Sequence, residues 1–299
     1  MHKVLITGGT GLIGQKLSSL LQSKGFEVRI LSRHKKSNSQ YKTFLWNVDQ
    51  HSIDENAFKD LDYIIHLAGV GIADKRWSKK RKQEIIDSRV ASTSLLCNTI
   101  KKLRVPIKGF ISASGVGYYG ASTSDTIFEE NTPPANDFLG EVCRLWEESA
   151  FQFKKDAIRT VVLRTGIVLS KDGGALTKMK TPIMMPLGNG NQYMPWIHID
   201  DLCELYSKAI EDKSLEGAYN AVAPDHQTSK SFSKAIAKTF KYPYISLAVP
   251  SFILKLVFGE MARILVYGSR ISSEKIQQHG FQFKFKKLES ALINLVSKH

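Results

Sequence analysis

The chain opens on a short apolar run, Val4, Leu5 and Ile6, closed by Thr7, and an amphipathic pattern resumes at Leu12 with Leu17, Leu20 and Leu21. The first reads as a buried strand and the second as a helix with one buried face. Gly25 stops that helix, and Glu27–Leu31 reads as a second strand. Thr43–Trp46 is a short further strand and Tyr63–Leu67 a clearer one. Ile85, Ile86, Val90, Leu95 and Leu96 place a helix over Ser78–Lys101. Gly109–Ser112 follows as a strand, about Asp137–Phe153 as a helix, and Arg159–Arg164 as a strand continuing to Leu169 past Gly166. Strands alternating with helices over this length predict an α/β protein with a doubly wound parallel sheet.

From Ser170 the pattern loosens. Gly173-Gly174, Pro182, Pro186 and Gly188-Asn189-Gly190 predict loops and short helices over the ligand edge of the sheet. Asp200 or Asp201 then caps a helix through Ile210, Ala218–Ala221 forms a short strand, and Lys230–Phe240 is helical. The tail from Pro250 to His299 reads as more helix with an aromatic run, Phe281, Phe283 and Phe285. The expected organisation is a Rossmann-type domain over residues 1–170, to which 194–224 returns. A smaller, mainly helical cap then comprises 171–193 and 225–299.

The turn between the first strand and helix carries the strongest chemical signal. Gly8, Gly11 and Gly14 stand at three-residue spacing after a strand and before a helix. Gly8 permits the turn, Gly11 lets backbone approach a pyrophosphate, and Gly14 lets helix and strand pack closely. Free N–H groups and the positive dipole end at the helix start complete an anion site. At the end of the second strand, where an acid would hold a ribose 2′-hydroxyl, the chain reads Ser32-Arg33-His34-Lys35-Lys36. Arg33 fits a 2′-phosphate with its planar fork and Ser32 adds a hydrogen bond, so NADP(H) is the expected cofactor. A basic surface loop is the alternative. Ala68 and Gly69 let backbone lie along the cofactor. Arg89 breaks the polar pattern of its helix near the buried side and Glu84 lies near the same edge. Either a phosphate contact or a salt bridge accounts for them.

Composition narrows the classes. The 299 residues are 42% hydrophobic, ample for a large core. Cys97, Cys143 and Cys203 lack metal-ligand spacing, so no metal is expected and a reduced, cytoplasmic setting is. Met1 leads straight into a strand, which leaves no room for a signal peptide. Ile245–Phe258, broken by Pro250 and carrying Lys255, is too short to span a bilayer, and no membrane partner is expected. The net charge of +14 fits an anionic ligand. Lys79-Lys80-Arg81-Lys82 has no interleaved aromatics and reads as a solvated helix face, so no nucleic acid is expected.

Several segments together resemble the extended short-chain dehydrogenase/reductases, the sugar-nucleotide epimerase-like proteins. They are Thr7–Gly14, Leu67-Ala68-Gly69, Ser114 to Tyr119-Gly120 and Trp196-Ile197-His198-Ile199-Asp200-Asp201. Gly117-Tyr118-Tyr119-Gly120, Ser88-Arg89-Val90 and Pro195–Ile199 resemble the atypical branch with a small extra C-terminal domain. The resemblance covers nearly the whole chain. It implies cofactor contacts at Gly8 to Gly14 (Thr10, Leu12 and Ile13 included), Ser32, Arg33, Leu67, Ala68, Glu84 and Arg89.

Typical members carry a catalytic Tyr and, four residues on, a Lys at the start of the helix near Asp137. Here that stretch reads Asp137-Phe138-Leu139-Gly140-Glu141-Val142-Cys143-Arg144, with neither. A phenylalanine moves no proton, and loss of a positioned acid/base forfeits about 10²–10⁴ in rate. Ser114, Tyr118 and Tyr119, at a strand's carboxyl end, are the substitute catalytic candidates, and His198 a candidate for orienting substrate. Both tyrosines packing the sheet end, and His198 as a core histidine, are the alternatives. The leading expectation is an oxidoreductase acting on a small carbonyl or sugar-like molecule, as monomer or homodimer. A catalytically silent NADPH-binding sensor comes second and a nucleotide-sugar epimerase third.

Overall fold

In the computed structural model, which describes residues 1–34 and 40–296, the first strand is Lys3–Thr7 (β1) and the first helix Leu12–Ser23 (α1). Glu27–Ser32 (β2), Lys42–Asn47 (β3), Ser52–Ile53 (β4) and Tyr63–His66 (β5) precede a long helix, Lys79–Leu103 (α2). Gly109–Gly115 (β6), Ile127–Phe128 (β7), Phe138–Phe151 (α3), Thr160–Thr165 (β8) and Ile167–Leu169 (β9) follow. Then come Ala175–Met179 (α4), Trp196–His198 (β10), Ile199–Glu211 (α5), Gly217–Ala221 (β11) and Ser229–Phe240 (α6). The chain closes with Ser251–Phe258 (α7), Arg263–Val266 (α8), Arg270–Ile271 (β12), Glu274–Gln278 (α9) and Leu288–Val296 (α10). Lys35 and Lys36 of the basic stretch lie outside the described residues.

The main sheet runs β11-β8-β6-β5-β1-β2-β3-β4, parallel throughout except for the last pair. Strand order reverses between β1 and β5, where open parallel sheets hold ligands beyond their carboxyl ends. Side chains alternate across the sheet as the strand period requires. Val4, Ile6 and Ile65 join Leu17, Leu21, Leu202 and Tyr206 under α1 and α5. Leu5, Ile64 and Phe110 join Leu96, Ile100 and Phe153 under α2 and α3. Burial on both faces explains why these strands read as unbroken apolar runs.

The later half departs from the sequence reading in three places. The strand expected over Arg159–Leu169 breaks at Gly166. β8 stays in the main sheet while β9 pairs with β10 in a separate parallel ribbon. A Cβ at Gly166 would stand 2.6 Å from the Pro195 carbonyl, so the backbones of the two segments meet there. The cap of α5 is His198, whose Nδ1 accepts the Asp200 N–H at 3.1 Å, rather than Asp200 or Asp201. Asp201 faces inward instead, accepting the backbone N–H groups of Lys284 (2.8 Å) and Phe285 (3.0 Å), and so pins the tail to α5. The tail also holds a strand, β12, paired with β7.

Two histidines are buried in this frame. His66 lies between the Thr7 hydroxyl (2.7 Å) and the Ser92 hydroxyl (3.1 Å), and burial, with the nearby Arg89 charge, lowers its pKa from 6.5 to about 3. Burial lowers His198 to about 4. Both stay neutral in the folded chain while the unfolded chain takes up protons below pH 6.5. Stability should therefore fall with pH from 6.5 towards 4, by about 1.4 kcal/mol per pH unit for each histidine. Denaturant midpoints measured across that window check this, and a flat profile contradicts it.

Candidate functional site

The carboxyl ends of β1, β5 and β6 converge at the reversal point. Gly8 has φ +68°, in the left-handed region, and a Cβ there would press on the Leu67 backbone at 3.0 Å. A Cβ at Gly14 would overlap the Gly8 carbonyl and stand 2.5 Å from the Gly9 Cα, so helix and turn touch backbone to backbone. α1 begins after Gly11 with no side-chain cap and no acid in its first turn, which leaves its amide end to a ligand. Gly11 and Thr10 are exposed there, with Leu12 and Ile13 half-buried behind them. The Thr7 hydroxyl accepts the N–H groups of Leu67 and Ala68, both at 3.2 Å, and so fixes the β5 end against the glycine turn. Ser32 and Arg33 stand at the end of β2, Ser32 half-buried and Arg33 exposed.

Arg89 lies under this edge, 8% exposed, with its guanidinium carbon 3.3 Å from where a Gly69 Cβ would be. Nη1 donates to the Ile85 carbonyl at 2.9 Å, and the plane rests 4.7 Å from the Trp146 ring centroid. Its Nε has no partner among the described residues. Burial lowers its pKa, and the like charge of Arg81 adds to that. A buried guanidinium with no carboxylate is costly unless an anion completes it. Glycine turn, bare helix end and incomplete cation together fit a dinucleotide diphosphate. Glu84 takes the salt-bridge alternative, its half-exposed carboxylate pairing at 2.8 Å with Arg81, which is buried and so, unlike the solvated face expected of Lys79–Lys82, turns inward to the Gly71 carbonyl.

The catalytic candidates are placed less favourably. Tyr119 is 3% exposed, and its hydroxyl donates to Asn220 Oδ1 at 2.7 Å while accepting from Arg164 Nη1 at 2.9 Å. Burial raises it to about 12 despite Arg164 beside it. Tyr119 is a strut of the sheet end, not a proton donor. The Ser114 hydroxyl donates its one hydrogen to Glu147 Oε1 at 2.8 Å, so it has none for a substrate carbonyl. Tyr118 is half-buried with the Arg164 guanidinium 3.4 Å from its ring centroid, and its phenol is shifted upward by burial. Its hydroxyl also meets Arg164, as an acceptor, and of the three it is the one whose proton is not given to another side chain among the described residues. His198, 1% exposed and packed against the tilted Phe285 ring with centroids 3.9 Å apart, is a core histidine.

What the sequence reading missed is the group holding these side chains. Arg164 on β8 grips Glu147 on α3 through Nε–Oε1 (2.8 Å) and Nη2–Oε2 (2.9 Å), both residues under 5% exposed. Burial alone would depress Arg164, but the bonds and charge of Glu147 outweigh it and hold its pKa up. An arginine inside the apolar strand Thr-Val-Val-Leu-Arg-Thr was the available signal, since buried charges come paired. At the start of α3, Phe138 packs edge-on against Trp77 at 4.8 Å, and Leu139 and Val142 join Ile85 and Met261. Cys143 is buried, its thiol pushed up to about 12 by burial. No phenol or lysine stands in that turn. Among the described residues no cluster of His, Cys, Asp or Glu is arranged to hold a metal ion, and no helix is long and apolar enough to cross a membrane.

Comparison with known proteins agrees with this geometry. Residues 4–222 match the model of the NAD dependent epimerase/dehydratase family, and residues 249–295 match a domain of unknown function, DUF1731. The chain is 34% identical to the epimerase family protein YfhF of Bacillus subtilis, with 98% of each covered. It is 36% identical to the chloroplastic epimerase family protein SDR39U1 homolog of Arabidopsis thaliana, covering 97% of this chain and 85% of that one. The crystal structure of human epimerase family protein SDR39U1 (isoform 2) with NADPH superposes with a TM-score of 0.87 at 30% identity, covering 98% of both chains.

Proposed function

Since the chain belongs to the NAD dependent epimerase/dehydratase family, within the extended short-chain dehydrogenase/reductases, we propose that it binds NADP(H) across its β1/β5 edge. It then acts as an oxidoreductase on a small carbonyl or sugar-like molecule. Gly8 to Gly14 and the α1 amides hold the diphosphate, Leu67, Ala68 and Gly69 lie along the cofactor, and Ser32 with Arg33 meets a 2′-phosphate. Arg89 completes the anionic contact, while Glu84 stays paired with Arg81. A reduced nicotinamide supplies a hydride to the substrate when bound. The accompanying proton falls to Tyr118, since the hydroxyls of Ser114 and Tyr119 are committed elsewhere. The observation that carries this reading is the buried, uncompleted Arg89 beside a glycine turn with a bare helix end.

Arg89→Met tests it with two readouts. Removing an unpaired buried cation should leave thermal stability of the free protein level or higher, while NADPH affinity falls about tenfold or more. Lower stability with unchanged affinity would make Arg89 structural. Arg33→Ala tests the choice of cofactor. A charge-assisted bond is worth about 1.5–3 kcal/mol, so the preference for NADPH over NADH should shrink by about tenfold or more. An unmodified protein that binds both equally contradicts the assignment.

A second reading, NADPH binding without turnover, is favoured by one specific observation. The start of α3 holds Phe138, Leu139 and Val142 in apolar packing where an acid/base pair would stand. Product formation by the NADPH-loaded protein from any of a panel of carbonyl compounds would exclude it.

A further inference from the structure

The smaller C-terminal region leaves a large apolar face uncovered among the described residues. On α7, Leu256 is 78% and Phe252 68% exposed, with Ile253 and Val257 beside them, and Leu247 just before the helix is 72% exposed. Phe252 and Leu256 share one row of the helix and Ile253 and Val257 the next, while Leu254 points to the core. The segment ahead of the helix is braced along 184–187, through the Met184–Tyr244 and Leu187–Val249 bridges, which adds exposed Ile183 and Ile245 to the same region. Together they form an apolar face larger than the roughly 300–600 Å² of the largest patch on an ordinary monomer.

Charge decides the occupant. Residues 173–199 and 226–259, which build this region, carry Lys178, Lys180, Lys230, Lys234, Lys238, Lys241 and Lys255 and no aspartate or glutamate. Of these, Lys178 pairs with Asp74 and Lys238 with Glu289 from other segments. Two copies of a chain at +14 repel one another. Glu260, just past α7, is paired with Lys82, so the lysines that remain set the charge around this apolar face, which matches a surface that is apolar within and negative at its rim.

We propose that α7 and the segment before it dock this protein onto an anionic phospholipid surface, lying in the interface rather than crossing it. The apolar side chains enter the boundary between headgroups and acyl chains while the lysines meet lipid phosphates. This departs from the expectation of no membrane partner, which rested on spanning length alone. Co-sedimentation of the full chain with vesicles tests it. Vesicles of phosphatidylcholine with phosphatidylserine should retain the protein about tenfold more than phosphatidylcholine alone, and added salt should release it. Leu256→Ser should cut retention severalfold, and so should Lys255→Gln. Both positions are exposed, and unchanged circular dichroism will confirm folding. Equal retention on both vesicles, or none, overturns the proposal. So does a dimer in sedimentation equilibrium that Leu256→Ser dissociates, because the face then belongs to a second copy.

Discussion

Replacing Glu147 by alanine is expected to cost about 3–5 kcal/mol of folding stability, the usual penalty for leaving one member of a buried ion pair without its partner. The loss is large because Arg164 is 3% exposed and has nowhere to find water. It also spreads, since Ser114 donates to Glu147, while Tyr119 accepts from Arg164 and holds Asn220. Asn220 in turn donates to the Ser272 carbonyl at 3.0 Å, linking the sheet to the tail. Urea unfolding measures the cost. The paired replacement Glu147→Leu with Arg164→Met should recover much of it, because removing both charges spares the uncompensated one. A single variant that loses less than about 1 kcal/mol would mean that water or another group already screens Arg164.

The second large effect falls on Gly14. Gly14→Ala places a methyl group against the Gly8 carbonyl and the Gly9 Cα. Backbone, unlike a flexible side chain, cannot swing away, so α1 must move off the end of β1. Overpacking of this kind costs about 1–3 kcal/mol. The same displacement carries the helix amides away from the diphosphate, and NADPH affinity should fall more than tenfold in a titration of the folded variant. Retained affinity would show that the diphosphate does not sit on this helix.

The sheet was legible in the sequence because its strands are buried on both faces, so Val4–Ile6, Tyr63–Leu67 and Arg159–Arg164 read as apolar runs without side-chain detail. The glycine turn was legible for a similar reason. Only glycine meets the positive φ at Gly8 and the backbone contact at Gly14. Less could be read where a role depends on who faces a side chain in space. Tyr119 and Ser114 carry catalytic chemistry by type, but Asn220, Arg164 and Glu147 reach them from 101, 45 and 33 residues away and take up their hydroxyls. His198 sits in a segment whose polar residues read as a site, and only the Phe285 ring from the tail shows that it is packed in. Asp201 is the same case, an acid that reads as a helix cap and turns out to hold the backbone of Lys284 and Phe285. α7 reads as an ordinary apolar helix, and nothing in its own sequence says that no other segment covers it.

Isothermal titration calorimetry of the purified protein with NADPH, and separately with NADH, addresses the central claim most directly. One saturable NADPH site per chain, with NADH bound at least about tenfold more weakly, is the predicted result. Absence of heat and of saturation with both nucleotides, from protein shown to be folded, would contradict it.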